Sequence, residues 1–82
     1  MADSRFPRDA PLRDVLHALS QLGFEEVRRG DHISLRRDNG DGTVTPMTLP
    51  NHSALKGSTL QVAIRQAGCM REEFLSAYFG KE

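Results

Sequence analysis

The stretch from Phe24 to Leu49, FEEVRRGDHISLRRDNGDGTVTPMTL, alternates in the manner of a three-stranded meander. Phe24 to Arg29 reads as a first strand and His32 to Arg37 as its partner, joined at Gly30-Asp31, residue types that tolerate the backbone angles of a tight hairpin turn. Asp38-Asn39-Gly40-Asp41-Gly42 supplies a second loop, and Thr43 to Leu49 the third strand. Pro46 lacks a backbone donor, so this last strand is expected at a sheet edge or bulged, where partners have access. Period two puts Ile33 and Leu35 on one face of the middle strand and His32, Ser34 and Arg36 on the other.

Helical spacing takes over on both sides of this core. Leu12, Val15, Leu16, Leu19 and Leu22 line one face of a helix beginning near Ala10. Asp9 is expected to cap it, Pro11 suits its first turn, and Gly23 can end it in the left-handed conformation. After a polar stretch from Asn51 to Gly57, Ser58 or Thr59 is the expected cap of a second helix with Leu60, Ala63, Ile64 and Ala67 as its apolar face. A third helical segment, Arg71 to Phe79, has Glu72 and Glu73 in its first turn and Phe74, Leu75 and Tyr78 at helical spacing. The order α-β-β-β-α-α predicts an α+β domain with helices on one face of a three-stranded antiparallel sheet and the other face wet. The charged, proline-broken residues 1–9 read as a flexible lead-in, and 10–80 as a single domain.

Composition agrees with one small globular domain. The chain has 82 residues, 38% of them hydrophobic and 27% charged, too short for two cores and too apolar for disorder. The 11 basic and 11 acidic side chains give zero net charge, which argues against indiscriminate nucleic-acid binding. The distribution is uneven: between Val27 and Gln66 stand Arg28, Arg29, Arg36, Arg37, Lys56 and Arg65, against Asp31, Asp38 and Asp41. A local positive patch on a neutral protein is therefore expected. Cys69 is the lone cysteine, which precludes an internal disulfide and a paired-cysteine zinc site, and suits a cytoplasmic location. It reads as a small, half-buried residue. No apolar run approaches the ~20 residues of a membrane span, and the first nine residues do not read as a signal peptide.

His32 is the residue best placed for chemistry. A histidine titrates near neutral pH, and neighbouring arginines could hold a phosphate beside it. Taken by itself, an outward strand histidine is more often a plain surface residue, and arginines more often a solvated face. His17 lies off the apolar stripe of the first helix and faces solvent. Lys56 and Ser58 are explained by loop solvation and capping, although a helix start also suits an anion. The histidines lack metal-ligand spacing, so no metal or cofactor is expected.

Several blocks together resemble the HicA-type toxins, the small ribonuclease halves of bacterial toxin–antitoxin pairs. They are Leu22-Gly23-Phe24, Gly30-Asp31-His32-Ile33, Leu49-Pro50-Asn51-His52 and, most distinctively, Lys56-Gly57-Ser58-Thr59-Leu60 running on to Ile64-Arg65-Gln66-Ala67-Gly68. The resemblance covers about Leu12 to Phe79. It implies a fold like a double-stranded RNA-binding domain, metal-independent endonucleolytic cleavage of messenger RNA, and His32 as the catalytic histidine. Arg28, Arg29, Arg36, Arg37, Lys56, Ser58 and His52 become candidates for contact with RNA phosphates. The partners it implies are RNA and a cognate HicB-like antitoxin covering the sheet, in a homodimer or a toxin–antitoxin hetero-oligomer. Two positions depart from the family pattern. Gly30-Asp31 replaces the usual Ser or Thr before the histidine, and Met70 stands where a capping residue is usual. Asp31 would favour a protonated imidazole yet repel an incoming phosphate. A non-catalytic RNA-binding module, or a protein-interaction domain using the Pro46 strand, is the alternative reading.

Overall fold

The computed structural model describes residues 8–68 and 71–80. Its elements, in chain order, are β1 (Asp9–Pro11), α1 (Leu12–Gln21), β2 (Phe24–Arg29), β3 (His32–Asp38), β4 (Val44–Pro50), β5 (Ala54–Lys56), α2 (Gly57–Gln66) and α3 (Arg71–Phe79). The expected meander is present as an antiparallel sheet in the order β2-β3-β4. Ile33, Leu35, Met47 and Leu49 point from it into a core shared with Val15, Leu19, Leu60, Ile64, Phe74 and Leu75. The alternation read from the sequence thus becomes two faces, one under helices and one open to solvent.

A second, two-stranded ladder was not expected. Asp9, Ala10 and Pro11 pair antiparallel with Lys56, Leu55 and Ala54. Asp9 is therefore extended backbone and not the cap of α1, whose N-cap is Pro11 with no side-chain bond. The stretch expected as a loop up to Gly57 contains β5, and α2 starts directly from extended Lys56, so neither Ser58 nor Thr59 caps it. The ladder itself does that work. Leu12 N–H donates to the Ser53 carbonyl at 2.9 Å and Gly57 N–H to the Arg8 carbonyl at 2.9 Å, so each helix start finds an acceptor on the opposite segment. Of the lead-in expected over residues 1–9, Asp9 belongs to this ladder, Arg8 accepts the Gly57 bond beside it, and residues 1–7 lie outside the described residues, as do Cys69 and Met70.

Both edges of the main sheet are blunted. On β2 the register shifts between Glu26 and Arg28, a bulge at Val27 that leaves this side chain 59% exposed. β4 is an edge strand, as Pro46 predicted, and Pro50 removes a second donor from it. Proline in an edge strand sits where its missing N–H would face away from the neighbour. Extending the ladder at either edge is therefore disfavoured, which weakens the expectation that the Pro46 strand offers itself to a partner.

At the end of α1, Gly23 adopts φ +98° and its N–H reaches the Ser20 carbonyl at 3.1 Å, the left-handed stop its position suggested. In α3, Phe74 and Tyr78 stack with centroids 5.7 Å apart and are buried as their spacing predicted.

Candidate nucleic-acid interface

Register defines what surrounds His32. Along β3 the outward residues are His32, Ser34, Arg36 and Asp38, and their partners on β4 are Pro50, Thr48, Pro46 and Val44. On β2, Arg28 stands opposite Ser34 and Glu25 opposite Arg36. Directly opposite residues share a face, with Cβ atoms roughly 4.5–5.5 Å apart. The wet face therefore has a cationic end, where Arg28 flanks the exposed His32, and a mixed end, where Arg36 is accompanied by Glu25 and Asp38. Four residues of strand separate His32 from Arg36 by about 13 Å, so the two mark separate points along the wet face.

Two of the candidate arginines are elsewhere. Arg37 follows Arg36 on a strand and so points to the helix side, where its Cζ lies 5.0 Å from the centroid of Phe24. Its Nε donates to Asn39 Oδ1 at 3.2 Å and one terminal nitrogen to the Leu22 carbonyl at 3.4 Å. It is a structural strap across the end of α1, not a phosphate contact beside His32. Arg29 pairs in register with Ile33, on the helix side beyond the core, and grips both carboxylate oxygens of Glu26 at 2.8 and 2.7 Å. That bidentate bond draws the Glu26 carboxyl below its ordinary range. The bulge is responsible: strict alternation from Phe24 would send Arg29 outward and Arg28 inward, and one extra residue at Val27 exchanges them.

Asn51, within the Leu49-Pro50-Asn51-His52 block, braces the turn before His32. Its Nδ2 donates to the Gly30 carbonyl at 2.9 Å and its backbone N–H to the Asp31 carbonyl at 3.1 Å. Together with the Gly30 N–H to His32 carbonyl bond at 3.0 Å, this ties the turn carrying His32 to the end of β4. A polar residue just after an edge-strand proline is the sequence signal, but only register shows which turn it meets. Immediately beyond come His52 and Lys56, both exposed, which with Pro50 and Thr59 border an open cavity of about 290 Å³. Ser58 is exposed in the first turn of α2 and lines a neighbouring cavity of about 370 Å³. Pro50, the register partner of His32, lines both. The Pro50 end of β4 thus adjoins His32 by register and His52, Lys56 and Ser58 through the two cavities, with Arg28 on the far side of β3. Among the described residues, no group of three or more His, Cys, Asp or Glu side chains converges.

The chain's residues 12–69 match the family model described as the HicA toxin of bacterial toxin–antitoxin systems, more than half of its length. The chain belongs to the HicA toxin family. The match begins at the first residue of α1 and takes in β2 to β5 and all of α2, so it covers every residue of the cluster around His32. This HicA-family chain is thus the toxin member of a toxin–antitoxin pair. No match was found among curated proteins or among solved structures. No helix among the described residues is long and apolar enough to cross a membrane.

Proposed function

We propose that this toxin acts as a metal-independent endoribonuclease on messenger RNA, with His32 as its general acid or base. The observation that carries the reading is the outward placement of His32 in the family's matched region, on a strand face flanked by Arg28 and bordered by His52 and Lys56. RNA contains its own nucleophile. Attack by a ribose 2′-oxygen on the adjacent phosphorus forms a cyclic phosphodiester as the bond to the leaving 5′-oxygen breaks. The protein need only move protons and stabilise charge on the phosphate. His32 accepts the 2′-hydroxyl proton or delivers one to the 5′-oxygen. Arg28 and Lys56 hold the phosphate, Arg36 holds a neighbouring one, and Ser58 and His52 border the path of the strand. Asn51 keeps the His32 turn in place. The cytoplasm, where messenger RNA is made and read, is the proposed location. The proposed protein partner is a HicB-like antitoxin that covers the wet face, in a hetero-oligomer of toxin and antitoxin.

The test is cleavage of messenger RNA by the purified chain and by its His32→Ala variant. Positioned acid–base groups contribute about 10²–10⁴-fold, so the variant should lose activity on that scale while keeping its fold. Equal cleavage by both, or by neither, refutes the catalytic role. Asp31, an exposed carboxylate adjoining His32, favours a second reading in which the chain binds RNA without cutting it. That outcome is recognised by intact RNA bound with a steep salt dependence, because phosphate contacts release counterions.

A further inference from the structure

A groove runs beside the His32 face, and the proposed chemistry draws only on its Lys56 end. It lies between edge strand β4 and helix α2 and comprises the 370 Å³ cavity, an adjoining one of about 230 Å³, and the 290 Å³ cavity at the Lys56 end. The larger volumes are around the lower end of the roughly 300–1,000 Å³ common for small-ligand clefts. Register sets its position. Pro46, Thr48 and Pro50, which form its β4 wall, are the partners of Arg36, Ser34 and His32. The β4 wall of the groove therefore runs beside the outward column of β3 at one strand spacing, ~4.8 Å, and the channel lies just beyond that wall. An RNA backbone engaged along His32 and Arg36 would carry its bases over the edge of β4 and into this channel.

We propose that the groove between β4 and α2 is a base-binding subsite, which takes the unpaired base of a nucleotide adjoining the phosphate at His32 and reads its edge through Gln66 and Thr48. The inference rests on the RNA reading above. The lining fits a base. Pro50 and the half-exposed Val62 offer apolar walls for a ring face, while Gln66, Thr48, Ser58 and Thr59 offer amide and hydroxyl groups at its rim. Charge is complementary to a nucleotide: Lys56 and His52 stand at one end, and no carboxylate lines any of the three cavities among the described residues. A protein strand is the less suitable occupant, since Pro46 and Pro50 deprive β4 of the donors a ladder would use. Single-stranded RNA is read by edge hydrogen bonds to splayed bases, which this geometry allows.

The experiment uses the full chain carrying His32→Ala, so that RNA survives, titrated by NMR with unstructured RNA hexamers biased to each of the four bases. Amide shifts at Thr48, Ser58, Val62 and Gln66, with one base preferred, are expected. Gln66→Ala should cut that preference by about tenfold, because a well-placed polar contact to a base discriminates on that scale. Val62→Asp should weaken all hexamers by adding a carboxylate at a half-exposed position of α2, with circular dichroism confirming that the variant is folded. Shifts confined to Ser34, Arg36 and Arg28, with base ranking unaltered by Gln66→Ala, would overturn the subsite and leave RNA binding standing. No shift anywhere, together with uncut RNA from the wild-type chain, would overturn both.

Discussion

Adjacent arginines on β3 should behave as opposites. Arg37→Ala removes a guanidinium from over Phe24 at 5.0 Å, worth about 1 kcal/mol for a half-buried cation–π pair. It also removes the 3.2 Å bond to Asn39, about another 1 kcal/mol, whereas the 3.4 Å approach to the Leu22 carbonyl is too long to add much. A total near 2 kcal/mol should lower Tm by roughly 8–16 °C in a domain of this size. RNA binding measured well below the new Tm should change little. Arg36→Ala, at an exposed position, should leave stability within about 0.5 kcal/mol. It should weaken RNA binding and reduce the slope of log affinity against log salt by about one. Thermal unfolding by circular dichroism and a salt series of binding isotherms measure the two effects separately. An Arg37→Ala chain that melts with the wild type and binds RNA poorly would refute the assignment of these side chains to opposite faces.

Gly23→Ala places a Cβ at φ +98° and within 3.3 Å of the Arg37 stem, so a loss of about 1–3 kcal/mol is expected in urea unfolding. Asn51→Ala should speed hydrogen exchange at Gly30 to His32 and lower kcat with little change in KM, at a stability cost of no more than about 1 kcal/mol; unchanged exchange would remove its bracing role. The Asp41 carboxyl is held below the ordinary aspartate value, chiefly by the Thr43 hydroxyl and also by the Thr43 amide. A depressed folded-state value stabilises the fold above the unfolded-state value, and the benefit vanishes as pH falls through the folded one. Thr43→Val should therefore raise the Asp41 midpoint in a carbon-detected NMR titration and flatten the decline of stability in acid.

What the sequence made legible was whatever depends on local periodicity. The Leu12-to-Leu22 stripe, the β2-β3-β4 meander, the outward set of His32, Ser34 and Arg36, and the Gly23 stop all follow from spacing and residue type. The β1–β5 ladder was hidden because three-residue strands carry no pattern, and their pairing joins segments far apart in sequence. Asp9 and Ser58 are good caps by type, but backbone carbonyls from the opposite segment reached the helix starts first. Arg37 was misplaced for another reason. Its inward direction follows from the same period two that placed Arg36, and grouping the pair as one basic patch overlooked it. Arg28 and Arg29 could not have been sorted, since a bulge that exchanges their faces leaves no mark on residue type. The cluster of His52, Lys56 and Ser58 near His32 rests on the matched family blocks and on the Pro50 register, neither of which periodicity supplies.

The ladder between β1 and β5 also sets a clock on the ribosome. Asp9 must wait for Lys56 before it can pair, and the start of α1 waits with it for the Ser53 carbonyl, whereas Gly57 emerges to find the Arg8 carbonyl already made. At about 5–20 residues per second, synthesis from one to the other takes roughly 2–9 seconds, to which the length of the exit tunnel adds. The β2–β3 hairpin can form within microseconds of its emergence. A nascent toxin would thus display His32 on a hairpin before the scaffold that surrounds it with Lys56 and α2 exists. Competence would arrive late and at once, when the chain's beginning and its second half close on each other.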